Sequence, residues 1–275
     1  MIIGIDIGST TTKAVAVEET GGNERQIRKI KTHADDAVAS ATGAFGKMIV
    51  ENQLEMKDIE RIMITGAGSS KIAGNLFGIP TRKVDEIQAI GIGGMFQAGQ
   101  DNIIITNIGT GTAIIDARRD RIVHIGGSAV GGGTIQGLAK KLLPTREFSG
   151  IMELADRGDL GQVDLRLEDI MDTGLSFLNG AATASNFGKM LDSAKNEDIA
   201  LGIINMVYQV IGVLSVFAAR YLNTDRVLVT GNGSDNTLGK EVLSAVSAMY
   251  HIQFEYPQDA AYTTAIGAGL FKPQE

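Results

Sequence analysis

The chain of 275 residues contains no cysteine. Disulfides, thiolate metal sites, iron–sulfur clusters and a cysteine nucleophile are therefore excluded from its chemistry. Basic clusters are missing too: 25 Lys and Arg stand against 32 Asp and Glu, a net charge of −7. That balance argues against a nucleic-acid partner. It leaves room for anionic small ligands, because backbone amides and helix N-termini hold phosphates without net positive charge. No basic segment precedes the first apolar run, so no secretory signal is read and a cytoplasmic protein is expected. Of the three histidines, His33 and His251 fall in no recognisable motif. Residues 200–219 carry no charge and are long enough to cross a bilayer. Asn205, Gln209 and Ser215 interrupt them, so a helix buried in a core or a subunit interface is expected, with no membrane partner.

Apolar residues make up 44% of the chain, enough for a real core in one large domain or two smaller ones. Many of the 35 glycines cluster in loops. Residues 4–13 read Gly-Ile-Asp-Ile-Gly-Ser-Thr-Thr-Thr-Lys, and residues 107–112 read Asn-Ile-Gly-Thr-Gly-Thr. Each follows a short apolar run and has the form of a turn between two strands, lined with amides and hydroxyls. Two such turns can hold the phosphates of one nucleotide from both sides.

Hydrophobic spacing predicts strands at 2–6, 14–18 and 26–33, a helix over 37–52, and a buried strand at 61–65 that ends in Gly66-Ala67-Gly68. A short strand ending at Val84 leads to a helix over 87–95. The second half opens in the same way, with strands at 103–105, 112–117 and 122–125 and a helix over 134–143. Helices are expected to dominate up to Tyr221. A strand at 226–230 then stops at Gly231-Asn232-Gly233, followed by a helix over 238–250, a strand at 253–255 and a closing helix over 262–271. Each half thus opens with strand, glycine turn and two more strands, a duplication of topology rather than of sequence. Duplication of this kind favours a ligand cleft between two lobes.

In the first turn, Gly8 allows the backbone to approach a phosphate, and Ser9, Thr10, Thr11 and Thr12 offer hydroxyls. Asp6 is placed to hold Mg²⁺ through water, since that ion keeps much of its hydration shell. Lys13 either faces a phosphate or is a strand residue. In the second turn Thr110 and Thr112 offer hydroxyls. Gly126-Gly127-Ser128-Ala129-Val130-Gly131-Gly132-Gly133-Thr134 precedes a helix, and its triple glycine reads as an anion seat at that helix N-terminus. Gly231-Asn232-Gly233-Ser234 reads either as a backbone cradle for a nucleoside or as a turn with Ser234 or Asp235 as N-cap. For a general base, Asp85 reads as an N-cap and Glu86 as the carboxylate facing the cleft. Composition alone ranks Glu86 no higher than Asp156, Asp159 or Asp164.

Together these motifs resemble the sugar kinase, heat-shock ATPase and actin superfamily, and in finer detail the type II pantothenate kinases. The residues that carry the resemblance are the 4–13 loop, Asp85-Glu86, 107–112 and 126–138. It continues through Ala155-Asp156-Arg157-Gly158-Asp159, Ala184-Ser185-Asn186-Phe187-Gly188, Tyr262 and Ala265-Ile266-Gly267-Ala268, in family order over nearly the whole chain. The resemblance implies an α/β, two-lobed, duplicated ribonuclease H-like (actin-like ATPase) fold with a nucleotide cleft between the lobes. The first lobe would span 1–100 and the second 101–275, with the closing helix free to return to the first lobe. It further implies transfer of a phosphoryl group from ATP, with Mg²⁺, to the primary hydroxyl of pantothenate.

On this chain the resemblance puts Glu86 at the catalytic base. ATP falls to Asp6, Ile7, Gly8, Ser9, Thr10, Thr11, Thr12, Lys13, Thr110, Gly132, Gly133, Thr134, Ile135, Gln136, Phe148 and Asn232. His124, Ser128 and Tyr262 fall on the substrate side. The family carries an Arg where this chain has His124, which is shorter, mostly neutral at pH 7 and unable to give a forked charged contact. Weaker help with pantothenate, a different acceptor such as pantetheine or an N-acetylhexosamine, or a strand residue without a ligand role would each follow. A non-catalytic nucleotide-binding ATPase is a further reading. An activator ATPase of radical dehydratases shares the first loop but needs cluster cysteines, which are absent. The uncharged 200–219 helix is expected to form a homodimer surface.

Overall fold

The computed structural model describes residues 1–19, 25–33, 36–171 and 180–272. Two five-stranded mixed sheets organise the molecule. The first is built from β1 (Ile2–Ile7), β2 (Thr11–Glu19) and β3 (Arg25–His33), which run as an antiparallel meander. Helix α1 (Ala37–Asn52) follows, then β4 (Arg61–Thr65) and β5 (Thr81–Lys83), both parallel to β1. The sheet order is β3-β2-β1-β4-β5. Helix α2 (Glu86–Ala98) leads into β6 (Asn102–Ile108), β7 (Thr112–Arg118) and β8 (Arg121–Ser128), a second meander. Helices α3 (Gly132–Leu142) and α4 (Phe148–Ala155), the short strands β9 (Leu165–Arg166) and β10 (Thr183–Ser185), and the long helix α5 (Asn196–Tyr221) come next. Then β11 (Arg226–Thr230), α6 (Thr237–Tyr250), β12 (Gln253–Glu255) and α7 (Thr263–Leu270) close the chain. The second sheet runs β12-β11-β6-β7-β8, the same topology as the first.

Strand β1 reads Ile-Ile-Gly-Ile-Asp-Ile because both its faces are covered. Ile3, Ile5 and Ile7 pack against α1 through Ala41, Phe45 and Met48, each fully buried side chain stabilising the fold by roughly 1.5–3 kcal/mol. On the opposite face Gly4 and Asp6 meet a different layer. A Cβ at Gly4 would stand 2.2 Å from the carbonyl of Ala265, so α7 lies directly on this strand. Ala265 and Ile266 of α7 bury Val15 and Val17 of β2. Helix α2 follows the first sheet in sequence yet packs on the second, its Ile90 against Ile103, Ile105 and Ile115. The two helices cross where a Cβ at Gly93 would lie 2.0 Å from Thr263 O and one at Gly267 would lie 1.7 Å from Ala89 O. The lobes therefore exchange helices, and the exchange joins them at backbone contact.

Helix ends follow local chemistry. Asp36 caps α1 by accepting from Ala39 N at 2.7 Å, and Asp85 caps α2 by accepting from Gln88 N at 3.0 Å. Asn236 does the same for α6 through Gly239 N at 2.8 Å. Helix α5 buries one side, including Ile203, Val207, Tyr208 and Ile211, inside its own lobe.

The expectation that helices dominate up to Tyr221 needs correction. Between α4 and α5 the described chain is a set of 3-10 turns and two very short strands, and residues 172–179 lie outside the described residues. The physical reason is a buried carboxylate. Asp164 accepts from Phe187 N (2.8 Å), Asn205 Nδ2 (2.7 Å), Thr183 Oγ1 (3.1 Å) and Asn186 Nδ2 (3.3 Å). Four convergent donors fold this segment around one side chain instead of around a helical ladder.

Candidate active site

The duplication extends to single atoms. Thr65-Gly66-Ala67-Gly68-Ser69 starts on the last residue of β4, and Thr230-Gly231-Asn232-Gly233-Ser234 on the last residue of β11. Gly66 has φ +83° and Gly231 φ +84°, a left-handed backbone that only glycine adopts without strain. A Cβ at Gly66 would meet Asp6 Oδ1 at 2.5 Å, and one at Gly231 would meet Asn107 Oδ1 at 2.8 Å. Each glycine turn thus abuts the polar residue near the end of its lobe's first strand. That residue is an acid in one lobe and an amide in the other.

Between the lobes the two hydroxyl turns face each other. Ser9 Oγ lies 2.9 Å from Thr110 Oγ1, and Asn232 Nδ2 donates to Thr11 Oγ1 at 3.0 Å. Gly8 N bonds Thr11 O at 3.1 Å and Gly109 N bonds Gly111 O at 2.8 Å, so each turn is closed on itself. Ser9, Thr10 and Thr110 are exposed. Lys13 Nζ stands 3.6 Å from Asp6 Oδ2, and both side chains are buried. Burial pushes the Asp6 carboxyl up and the Lys13 ammonium down, while their attraction opposes both shifts. Asp235, on the turn after β11, adds negative field at Lys13.

Glu86 is the first residue of α2, directly after its cap Asp85. Desolvation raises its carboxyl above the ordinary glutamate value, and the negative charges of Asp6 and Asp85 raise it further, with Lys13 opposing. Glu86 therefore shares an electrostatic neighbourhood with the Asp6–Lys13 pair. Gln88 Nε2 donates to Ile122 O at 3.3 Å, tying the first turn of α2 to the strand that carries His124. His124 is exposed on β8, opposite Ile115, where the ladder register shifts between Ile114 and Ile115. Such a bulge re-aims the residues that follow, Gly126 to Ser128. Ser128 Oγ accepts from Val130 N at 3.0 Å.

Some of the expected ATP residues turn their side chains elsewhere. Ile7, Thr12 and Ile135 point their side chains away from the cleft. Ile7 and Thr12 are cross-strand partners on the α1 face of the sheet, where Ser40 Oγ donates to Thr12 Oγ1. Ile135 packs in the core of the second lobe. Strand alternation and the helical stripe leave only their backbones available to a ligand. The triple glycine is not an open anion seat either. Gly132 N bonds Gly109 O and Gly133 N bonds Thr110 O, both at 2.9 Å. Gly131 N bonds Thr134 Oγ1 at 3.2 Å, and the amides of Thr134 and Ile135 both return to Gly131 O. The glycines serve close approach: a Cβ at Gly131 would lie 2.7 Å from Thr110 O. This segment braces the second hydroxyl turn from behind. Gln136 is exposed on α3.

Two candidates stand apart from the hydroxyl turns. Phe148 begins α4, 38% exposed, and no described contact joins it to either turn. The Tyr262 ring faces Lys29 Nζ at 5.9 Å, and burial with the nearby Asp259 and Asp235 raises its phenol. No described contact joins it to Glu86 or His124. Residues the motif reading passed over also enter the site. Thr65 lies beside Asp6 in the ladder. Tyr208, buried on α5, donates to Gly233 O at 2.7 Å and so steadies the turn that holds Asn232. The repeated Thr-Gly-x-Gly-Ser string was the signal for Thr65. Tyr208 had none, because it looks like any core aromatic.

Duplicated sheets with a cleft between two glycine turns define the actin-like ATPase fold. An activator of 2-hydroxyisocaproyl-CoA dehydratase from Clostridium difficile with bound ADPNP superposes with TM-score 0.68 at 18% identity, covering 98% of this chain and 92% of that one. A ROK family glucokinase from Streptomyces griseus, in complex with glucose and AMPPNP, gives 0.58 at 16% identity over 98% and 97%. Within that fold the chain belongs to the Fumble family, whose model matches residues 102–270. Curated relatives named type II pantothenate kinase include one from Bacillus anthracis, 29% identical over 280 residues, 98% of this chain and 96% of the relative. Another from Staphylococcus aureus (strain COL) is 28% identical, covering 98% of both.

Proposed function

We propose that this chain is a pantothenate kinase, transferring the γ-phosphoryl group of ATP to the primary hydroxyl of pantothenate, the first step of coenzyme A synthesis. The observation that carries the reading is Glu86. It has a raised carboxyl at a helix start, in the field of the Asp6–Lys13 pair. A raised carboxylate is a stronger base, which suits abstraction of an alcohol proton. The hydroxyl oxygen attacks the γ-phosphorus in line, its proton passes to Glu86, and ADP leaves. Ser9, Thr10, Thr110 and the turn amides contact the polyphosphate, and Lys13 neutralises charge on it. In this reading Asn232 serves the nucleoside, and His124 and Ser128 serve the acceptor.

Mg²⁺ fits the residues present. One buried carboxylate, Asp6, has the buried, unpartnered hydroxyl of Thr65 beside it, a sparse oxygen set of the kind a hydrated Mg²⁺ takes. Bound there, the ion would neutralise charge on the phosphate oxygens. Phe217 and Tyr221 of α5, 59% and 80% exposed, support a homodimer through that helix. A cytoplasmic location follows from the reaction proposed.

A second reading, a kinase of pantetheine or an N-acetylhexosamine, is favoured by His124 in place of the family's Arg. ATP consumption with pantothenate, pantetheine and amino sugars separates the two. Turnover of pantothenate is expected, with Glu86→Gln lowering kcat by about 10²–10⁴-fold. Failure to phosphorylate pantothenate overturns the substrate, and full turnover by Glu86→Gln overturns the base. A gain in pantothenate turnover on His124→Arg would show that the histidine limits that reaction.

A further inference from the structure

The two lobes place the same threonine beside two different partners. In the second lobe Thr230 is the ladder partner of Asn107, and its hydroxyl donates to Asn107 Oδ1 at 3.1 Å. In the first lobe Thr65 is the ladder partner of Asp6, on the same face of the sheet. The glycine turns that follow, at Gly66 and Gly231, share one backbone conformation. Everything that makes the Thr230 bond is therefore repeated at Thr65 except the bond itself. Thr65 Oγ1 is fully buried and has no hydrogen-bond partner. The Asp6 carboxylate is engaged with Lys13, at a separation of 3.6 Å that is longer than a good charged hydrogen bond.

A buried hydroxyl without a partner is uncommon and asks for an explanation. The Asp6–Lys13 pair supplies one. Lys13 is the only side-chain partner recorded for Asp6 among the described residues, and Lys13 also lies in the field of Asp235 across the cleft. A polyphosphate arriving between the hydroxyl turns attracts the ammonium far more strongly than one carboxylate does. Once Lys13 turns to it, Asp6 needs a new partner, and the Thr65 hydroxyl is already beside it.

We propose that Thr65 is a positioning residue with a conditional role: it receives Asp6 when Lys13 is drawn to the polyphosphate and holds the carboxylate toward the hydrated divalent cation. This deepens the kinase reading and rests on it. Partners of this kind, one step behind the group that faces a metal, typically change metal affinity by about 10–100-fold.

The test uses the full chain with AMPPNP and Mn²⁺ as the probes. Free Mn²⁺ is followed by electron paramagnetic resonance, and metal-free AMPPNP affinity by calorimetry. Thr65→Val keeps the shape and removes the hydroxyl; Thr65→Ser keeps the hydroxyl. The expected result is Mn²⁺ affinity of the AMPPNP complex weakened about 10-fold in Thr65→Val and restored in Thr65→Ser, with metal-free AMPPNP affinity unchanged in both. Wild-type Mn²⁺ affinity in Thr65→Val overturns the proposal. So does equal loss in both variants, which would mark a packing effect. If the wild type binds no AMPPNP with or without metal, the nucleotide reading itself falls, and the proposal with it.

Discussion

Gly267→Ala places one methyl group where the lobes exchange helices. The new Cβ would lie 1.7 Å from Ala89 O and 2.7 Å from Gly93 N. Non-bonded carbon and oxygen rest at roughly 3.5 Å, so α7 must move off α2 by more than about 1 Å. The obstacle is backbone and cannot rotate away. Overpacking of this kind costs about 1–3 kcal/mol and more when backbone must shift, against a gain of about 1 kcal/mol in helix propensity. A net loss of about 2 kcal/mol is expected, or a fall in Tm of roughly 4–8 °C. Glu86 begins α2, so the shift also displaces the proposed base, and about 1 Å of misplacement is expected to lower turnover by about 100-fold. Gly46→Ala on α1 is the control, with no atom within 4 Å of its Cβ. The same chemical change there should stabilise by up to about 1 kcal/mol. Urea denaturation and steady-state rates measure both variants. If Gly267→Ala is as stable and active as Gly46→Ala, the helix crossing does not set the position of the proposed base.

Three further outcomes follow from particular side chains. Because Glu86 titrates above an ordinary glutamate, kcat should fall with pH on an acid limb that begins above about pH 4.5. With the folded-state value raised, the unfolded chain ionises first, so the native state loses stability from the ordinary glutamate value upward and bears the full penalty once pH exceeds the raised value. Glu86→Gln should therefore unfold at a urea concentration no lower than wild type at pH 7, while its turnover collapses. Tyr208→Phe removes the bond to Gly233 O at 2.7 Å and should raise KM for ATP several-fold while KM for pantothenate stays put; equal changes in both would deny a role on the nucleotide side. Asp164→Asn must turn an amide NH₂ toward at least one of four donors, and its least costly orientation forfeits the Phe187 N bond at 2.8 Å. A loss of about 2–3 kcal/mol in chemical denaturation is expected, and an unchanged midpoint would show that the cluster does not hold the 183–188 segment.

Much of the framework was legible from pattern alone. The strand at 61–65 and the helix at 37–52 match their structural bounds, because β-branched runs and 3.6-residue spacing report burial directly. Asp85 reads as a cap and is one. The side-chain roles inside the loops were less legible. Ser9 and Thr12 look equivalent in a hydroxyl run, yet one faces the other lobe and the other faces Ser40, since strand β2 begins between them. The triple glycine looked like an open cradle, but its amides are engaged by Gly109 and Thr110, a long-range contact no local pattern reports. The segment after α4 went wrong for the same reason: apolar spacing cannot foresee a carboxylate that gathers donors from residues up to 41 positions away.

The sequence by itself determined the strands and most of the helices, the order of the glycine turns, the absence of thiol chemistry, and the resemblance that names a family. Those properties are local, or are carried by residue identity. Tertiary structure decided what depends on two distant segments meeting. It set Ser9 against Thr110, exchanged α2 and α7 between the lobes, and brought Glu86 into the field of Asp6 and Lys13. It also left one threonine of a repeated pair bonded and the other waiting. Both threonines sit beside the first strand of their lobe, and only the folded molecule shows which hydroxyl finds a partner there.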